Sequence, residues 1–243
     1  GDVYSVTTGD ANNDGKIETA VARGVSNFGI AIFVNESGGY NSYKISPTYI
    51  GYAVAIGDAD NDGQKEVVGG LGTSPYSGRM YKNVSGTWIE TNISDIGNDT
   101  HAIAIGDANN DGSNEIVVGS YLAQNNLRVY NKTGGTWTEA NISNISANIN
   151  ALAIGDANND GLNEIVVGLS SSTNQLRMYN YSGGSWTETN ISNESVSVLA
   201  VAIGDPDNNG RNEIAVGLAN TAYQVRTYEN KSGAWIEKNI TNA

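Results

Sequence analysis

GDANNDGKIE, from Gly9 to Glu18, returns four more times along the chain: GDADNDGQKE from Gly57 to Glu66, GDANNDGSNE from Gly106 to Glu115, GDANNDGLNE from Gly155 to Glu164, and GDPDNNGRNE from Gly204 to Glu213. The leading glycines stand 48, 49, 49 and 49 residues apart. Self-similarity at such a period marks a solenoid, a propeller or an array, in which one supersecondary unit is copied and stacked.

Counting from the first Asp of each copy, oxygen-bearing side chains fall at positions 1, 3, 5 and 9. They are Asp10, Asn12, Asp14 and Glu18; Asp58, Asp60, Asp62 and Glu66; Asp107, Asn109, Asp111 and Glu115; Asp156, Asn158, Asp160 and Glu164; and Asp205, Asp207, Asn209 and Glu213. A chain that curls around a hard cation turns every second residue inward, and calcium takes six to eight oxygens. Position 7 (Lys16, Gln64, Ser113, Leu162, Arg211) varies freely, as a residue that lends only its backbone carbonyl does. Glycine at position 6 permits the tight turn through a positive φ. One DxNxDG stretch is equally well read as a surface turn. Five of them, always with an acid at position 9, crowd carboxylates that repel unless a cation lies among them. The spacing is not that of an EF-hand, whose bidentate Glu belongs at position 12; Val21, Gly69, Val118, Val167 and Val216 hold that place. Calcium, up to five ions, is the expected cofactor, and the fifth loop, with Asn209 at position 5, the expected weakest site.

Composition agrees. Thirteen Lys and Arg against 26 Asp and Glu give a net charge of −13 and an isoelectric point near 4.3, which speaks against nucleic acid or anionic membrane as a partner. Five divalent ions would bring that charge to −3, so the acidity is mainly a metal signature. The chain has no cysteine, which rules out disulfides and leaves the redox compartment open. No apolar run approaches the ~20 residues of a spanning helix, so no membrane insertion is expected. No secretory leader is legible at Gly1, and a mature or trimmed chain is expected. Twelve N-x-S/T sequons, at Asn35, Asn83, Asn92, Asn98, Asn131, Asn141, Asn144, Asn180, Asn190, Asn193, Asn230 and Asn239, favour an exported, extracellular or cell-surface protein. Duplication has copied several of them, so they are not independent observations.

Each loop lies between two apolar runs. Ahead of it stand YSVTT from Tyr4, YAVAI from Tyr52, HAIAI from His101, NALAI from Asn150 and LAVAI from Leu199. Alternating small residues suit crowded inner strands. After the loop, TAVARG from Thr19, VVGGLG from Val67, IVVGS from Ile116, IVVGL from Ile165 and IAVGL from Ile214 are apolar at both parities and predict strands buried on both faces. A hairpin closes each unit: RMYKNVSGTWIETNI from Arg79, RVYNKTGGTWTEANI from Arg128, RMYNYSGGSWTETNI from Arg177 and RTYENKSGAWIEKNI from Arg226. Folding the hairpins sets Tyr81 opposite Trp88, Tyr130 opposite Trp137, Tyr179 opposite Trp186 and Tyr228 opposite Trp235. Arg79 then faces Glu90, Arg128 faces Glu139, Arg177 faces Glu188, and Arg226 faces Glu237. In the first copy Ala31 and Ser42 replace both charges together, while Phe33 and Tyr40 keep the aromatic pair. The fold expected is all-β: a five-bladed β-propeller of four-stranded antiparallel blades, one per ~49-residue repeat, forming a single domain over residues 1–243 with repeats beginning near residues 1, 49, 98, 147 and 196.

The pattern GDxxxDGxxEIVVG between apolar strands resembles the FG-GAP or VCBS repeats of integrin α-subunit propellers and of calcium-bearing fungal propeller lectins. The resemblance covers essentially the whole chain. It implies a propeller whose acids at loop positions 1, 3, 5 and 9 bind calcium between the first and second strands of a blade. Two departures stand out: Glu rather than the more usual Asp at position 9, and five copies where those propellers have seven blades.

Chemistry beyond metal binding finds few residues to carry it. The loops take 16 acids and the hairpins four, leaving Asp2, Glu36, Asp95, Asp99, Glu194 and Glu229 near a terminus or in turns. A glycosidase needs two carboxylates converging on a pocket, and the inner strands supply none. No catalytic and no organic cofactor-binding residue is assigned. The single histidine, His101, reads as a rim residue. The Tyr and Trp rows read as packing between blades sooner than as sugar platforms, and ligand contacts are sought in the variable loops Ser46 to Tyr49, Gly97 to Thr100 and Ser120 to Asn126. The function expected is a non-catalytic adhesion or recognition module with a glycan or protein ligand. The alternatives are a self-assembling structural subunit of a surface layer or filament and, behind it, a carbohydrate-active enzyme.

Overall fold

The structure is a computed structural model of the chain and describes residues 1–25, 29–36, 38–46, 49–72, 77–94, 98–121, 126–170, 173–193, 195–219 and 224–240. Its strands form five four-stranded antiparallel sheets, one per repeat. The first sheet holds β1 (Val3–Gly9), β2 (Glu18–Arg23), β3 (Ile30–Glu36) and β4 (Gly39–Ser46). The second holds β5 (Ile50–Gly57), β6 (Glu66–Gly72), β7 (Gly78–Val84) and β8 (Thr87–Ser94), and the third β9 (Thr100–Gly106), β10 (Glu115–Ser120), β11 (Leu127–Thr133) and β12 (Thr136–Ser143). The fourth holds β13 (Ile149–Gly155), β14 (Glu164–Leu169), β15 (Leu176–Ser182) and β16 (Ser185–Ser192), and the fifth β17 (Val198–Gly204), β18 (Glu213–Leu218), β19 (Val225–Lys231) and β20 (Ala234–Asn239). Strands lie side by side in chain order and none is borrowed from another repeat. These are the blades that the five-bladed all-β reading requires. Among the described residues no helix is long and apolar enough to cross a membrane.

Composition decides each strand's place. β10 and β14 are buried throughout, and β6 all but at Gly72, as runs of Val and Ile at both parities demand. The fourth strands, rich in Thr, Asn and Glu, are largely exposed and form the outer edge. Charged and polar edge residues discourage pairing with stray strands.

The chain divides into two compact units, Gly1–Ile105 with Asn114–Asn144, and Gly106–Ser113 with Ile145–Ala243. In the first, Ile30, Ile32, Val67, Leu71 and Tyr81 pack the first sheet on the second. Val68, Met80, Ile116, Val118 and Tyr130 pack the second on the third. In the second unit, Val166, Leu176, Val198, Ile214 and Tyr228 join the fourth sheet to the fifth. Each fully buried large aliphatic side chain contributes about 1.5–3 kcal/mol, so stability accumulates sheet on sheet.

The hairpins depart from the expected register. Tyr81 lies opposite Glu90, Asn83 opposite Trp88, and Arg79 opposite Asn92. The same two-residue slide appears as Tyr130↔Glu139 and Lys132↔Trp137, Tyr179↔Glu188 and Tyr181↔Trp186, and Tyr228↔Glu237 and Asn230↔Trp235. In the first sheet Phe33 faces Ser42, and Asn35 faces Tyr40. The expected Tyr–Trp and Arg–Glu directly opposed pairs are therefore wrong. The turn is the cause: two residues at positive φ, Ser85 (52°) and Gly86 (86°), close the hairpin and fix its axis between them. Gly134 with Gly135, Gly183 with Gly184, and Ser232 with Gly233 repeat the geometry. A slide of two keeps every side chain on its expected face, and the arginines reach their glutamates diagonally. Arg79 pairs with Glu90, Arg128 with Glu139 at 3.0 Å, Arg177 with Glu188 at 3.2 Å, and Arg226 with Glu237 at 3.2 Å.

If the turn sets the register, its backbone and not its packing is what matters. An added Cβ at Gly86 meets nothing within 4 Å, so Gly86→Val carries only the cost of its φ of 86°. Urea denaturation should show a loss of about 1–2 kcal/mol; an unchanged midpoint would mean the hairpin tolerates another turn.

Candidate metal centres

All five loops fold alike. The position 1 carboxylate receives two backbone N–H groups, from positions 5 and 6: Asp10 accepts from Asp14 and Gly15 at 3.0 Å each, and Asp205 from Asn209 at 2.9 Å and Gly210 at 2.8 Å. Asp58, Asp107 and Asp156 do the same. The position 5 side chain accepts from the N–H of position 7, as Asp14 does from Lys16 at 2.9 Å and Asn209 from Arg211 at 2.9 Å. Position 4, always Asn, is left-handed in every copy, with φ from 57° to 65°, and the glycine at position 6 has φ from 85° to 90°.

The glutamate at position 9 opens the second strand of each sheet and is buried: Glu18, Glu66, Glu115, Glu164 and Glu213 are 0–3% exposed. Glu18 Oε2 accepts the N–H of Ala11 at 2.9 Å, and Glu164 Oε2 that of Ala157 at 2.9 Å. These bonds do not compensate burial. Desolvation holds the Glu18, Glu66 and Glu213 carboxyls above the usual range, and nearby loop acids push the same way. Burial raises Glu164 furthest, to about 7, with Asp160 and Asp156 adding to it.

Glu18 Oε1, Glu213 Oε2 and Asp60 Oδ1 are buried and accept no hydrogen bond. A buried carboxylate oxygen without a partner costs a few kcal/mol, and a hard cation among these oxygens removes that cost. Acidic oxygens of Asp58, Asp60 and Glu66, and of Asp205, Asp207 and Glu213, gather within 4.8 Å of one another, so both clusters can hold a metal ion. The donor set is all oxygen, as calcium or magnesium requires. The fifth loop gathers its three acids despite Asn209.

Loop two contains a cation of its own. Lys82 Nζ lies 3.2 Å from Glu66 Oε1 and 3.4 Å from Asp60 Oδ2, and also pairs with Asp62. Lys132 Nζ reaches Asp60 Oδ2 at 2.8 Å. Burial works against the Lys82 ammonium, but its bonds to Asp62 and Glu66 outweigh that and hold its pKa above the ordinary value. The residue after the third-strand aromatic therefore tunes its loop. At that place Asn180 donates to Glu164 Oε1 at 3.1 Å, while Glu229 lies opposite Glu213 in the sheet and raises its pKa.

Two groups of residues escaped the reading of the sequence. The first is the position 4 asparagines. Asn13 Nδ2 donates to Lys65 O at 3.0 Å, and Lys65 N donates back to Asn13 Oδ1 at 2.7 Å. Asn61 clasps Asn114, Asn110 clasps Asn163, and Asn159 clasps Asn212 in the same reciprocal way. An Asn at position 4 of all five copies was the available signal. The second is a stack of rings in the first unit: Tyr4 on Tyr52 at 5.5 Å, Tyr52 on His101 at 3.9 Å, and His101 on Tyr121 at 3.4 Å between centroids. Burial pulls the His101 pKa down to about 4, although Asp99 acts to raise it.

Sequons split by strand. Asn92, Asn141, Asn190 and Asn239 on the outer strands are exposed, as are Asn35, Asn98, Asn144 and Asn193; Asn83, Asn131, Asn180 and Asn230 on the third strands are half-buried. The variable loops Ser46 to Tyr49, Gly97 to Thr100 and Ser120 to Asn126 lie partly outside the described residues, as do Asp95 and Glu194.

The profile of the FG-GAP-like repeat matches residues 107–167 and again residues 156–216. Each match opens on the position 1 Asp of a loop and runs through the next loop into its following strand, so residues 107–216 are FG-GAP-like repeats, as the resemblance implied. No curated protein matches the chain.

His101 gives the fold a pH dependence separate from the loops. Its folded pKa, about 4, lies below the ordinary 6.5, so its stabilising effect is complete above pH 6.5 and is lost as pH falls toward 4. Over that interval the wild type should lose roughly 1–3 kcal/mol more than His101→Phe, measured by urea denaturation at pH 7 and pH 4.5. Parallel profiles would show that the imidazole charges without leaving its sandwich.

Proposed function

Taking residues 107–216 as FG-GAP-like repeats, we propose that this protein is an extracellular, calcium-stabilised recognition module without catalytic activity, and that its ligand is a glycan. The observation that carries the reading is a groove that recurs beside the loops. In the first unit a groove of about 200 Å³ is lined by Asn12 of loop one, Val34 of β3, and Asn83 and Trp88 of the next hairpin. In the second unit the equivalent residues, Asn158, Asn180, Asn230 and Trp235, line one of about 400 Å³, joined by Asp160. An indole face beside several amides suits a sugar, whose C–H face stacks while its hydroxyls take the polar groups. Between the second and third sheets the corresponding place is crossed by Lys132, which binds Asp60 at 2.8 Å and lies 5.7 Å from the Trp137 ring centre. Grooves are thus open where the residue opposite the Trp is Asn and bridged where it is Lys.

Other features support the rest of the reading. Exposed sequons along the outer strands suit a glycosylated, exported chain. Among the described residues, three acids outside the loops and the hairpin Arg–Glu pairs are engaged locally: Glu36 with Asn41 and Tyr43, Glu229 with Arg211 and Lys231, and Asp99 beside His101. Hydrolysis would need such acids free and convergent.

Calcium bound only to the folded chain stabilises by about 2.7 kcal/mol per site at a hundredfold excess over Kd. Chelation should therefore lower the melting temperature markedly, and calcium but not sodium should restore it; a melting curve indifferent to chelator removes the metal from the account. On a glycan array the calcium-loaded chain should retain sugars, and Trp235→Ala should weaken retention at least tenfold. Retention of none, with binding to a protein ligand instead, would overturn the glycan assignment while leaving the calcium role intact.

A further inference from the structure

Loop two carries four acids, Asp58, Asp60, Asp62 and Glu66, where every other loop carries three. It is also, among the described residues, the loop that lysines enter. Lys82, on β7 of the same sheet, pairs with Asp60, Asp62 and Glu66, and Lys132, on β11 of the following sheet, reaches Asp60 Oδ2 at 2.8 Å. Two ammonium groups bring the same charge as one divalent cation. They do not use the loop's oxygens fully. The Asp60 side chain is 6% exposed, yet its Oδ1 accepts no hydrogen bond, and oxygens of Asp58, Asp60 and Glu66 still gather within 4.8 Å of one another. An ammonium offers three donors from one point, whereas calcium takes six to eight oxygens around itself.

The acids are fixed and the lysines are not. Glu66 is fully buried and Asp60 nearly so, whereas the Lys82 and Lys132 side chains are 20% and 22% exposed. From that depth a four-carbon stem carries its ammonium into water without any change in the backbone. Lys132 also does more than neutralise Asp60. It lies opposite Trp137 in the hairpin, with Nζ 5.7 Å from the ring centre. At the equivalent places Asn83 beside Trp88 and Asn230 beside Trp235 line open grooves. The bond to Asp60 is what holds the Lys132 side chain across the groove of Trp137.

We infer that loop two is an exchange site: when a divalent cation is held by Asp58, Asp60 and Glu66, Lys82 and Lys132 withdraw to solvent, and the withdrawal of Lys132 opens a groove along Trp137 between the second and third sheets. Displacing two ammonium groups weakens this site, so the groove opens at a higher calcium concentration than the one that fills the loops without lysine. Structural loops and a calcium-responsive one thus share a backbone and differ in two side chains. The inference rests on the calcium reading of the loops and not on what the grooves hold.

The test is amine acetylation of the whole chain, read lysine by lysine by mass spectrometry along a calcium titration, with the melting temperature followed in parallel. Lys82 and Lys132 should acetylate at least tenfold faster in saturating calcium than in chelator, and this rise should come at higher calcium than the rise in melting temperature. Lys231, already 59% exposed beside Glu229, should change less than twofold. In calorimetry the double variant Lys82→Val and Lys132→Asn, which takes its residues from Val34 and Asn83 of the open first groove, should tighten one calcium site at least tenfold. Labelling of Lys132 that holds or falls while calcium raises the melting temperature would overturn the exchange and leave calcium in the other loops. An unchanged isotherm in the double variant would overturn it too, since the lysines would then not compete. Labelling and melting both indifferent to calcium would remove the inference together with the calcium reading beneath it.

Discussion

A carboxylate buried at the head of every second strand is the constraint on which the rest of the structure depends. Glu18, Glu66, Glu115, Glu164 and Glu213 are sealed beneath their loops. Burial raises the pKa of four of them, and at neutral pH such groups need a positive charge or a proton. The loop above is shaped to admit the charge: backbone N–H groups hold the position 1 and position 5 side chains while other oxygens remain unengaged. A metal there would tie the end of the first strand to the start of the second, across the register pairs Gly9↔Glu18, Gly57↔Glu66, Gly155↔Glu164 and Gly204↔Glu213.

The copies are not equivalent, and two neighbouring variable positions on the third strand distinguish them, the first of them by charge. Lys82 brings an ammonium into the second loop, Asn180 an amide to the fourth, and Glu229 a further acid beside the fifth. The residue after it decides whether the adjoining groove is open, with Asn83 and Asn230, or bridged, with Lys132. Duplication preserved the backbone device, and substitutions at two neighbouring positions set charge and access separately.

Strand number, strand order and burial were legible because period, parity and turn chemistry each left a mark in the sequence. The shared loop was legible, and with it the acidic clusters of the second and fifth copies, because oxygen at alternate positions, closed by an acid at position 9, is the pattern that a hard cation demands of a chain wrapped around it. The hairpin register was not. Sliding two strands by two residues preserves both faces, so Tyr81, Trp88 and Glu90 keep the same chemistry in either alignment, and only the positive φ at Ser85 and Gly86 chooses between them. The asparagine clasp was hidden for a different reason. Position 4 reads as one more turn residue until the neighbouring repeat is beside it. His101 was read as a rim residue because it occurs once; its meaning lies in Tyr52 and Tyr121, brought to it from either side by the fold.

The most direct measurement is an anomalous difference map from crystals soaked in terbium, which follows calcium into oxygen sites. The account predicts peaks beside Glu18 Oε1 and Glu213 Oε2, where buried oxygens have no hydrogen-bond partner, and a weaker peak in loop two, where Lys82 is already in place. Loops that keep the same hydrogen bonds with no peak in any of them would contradict it.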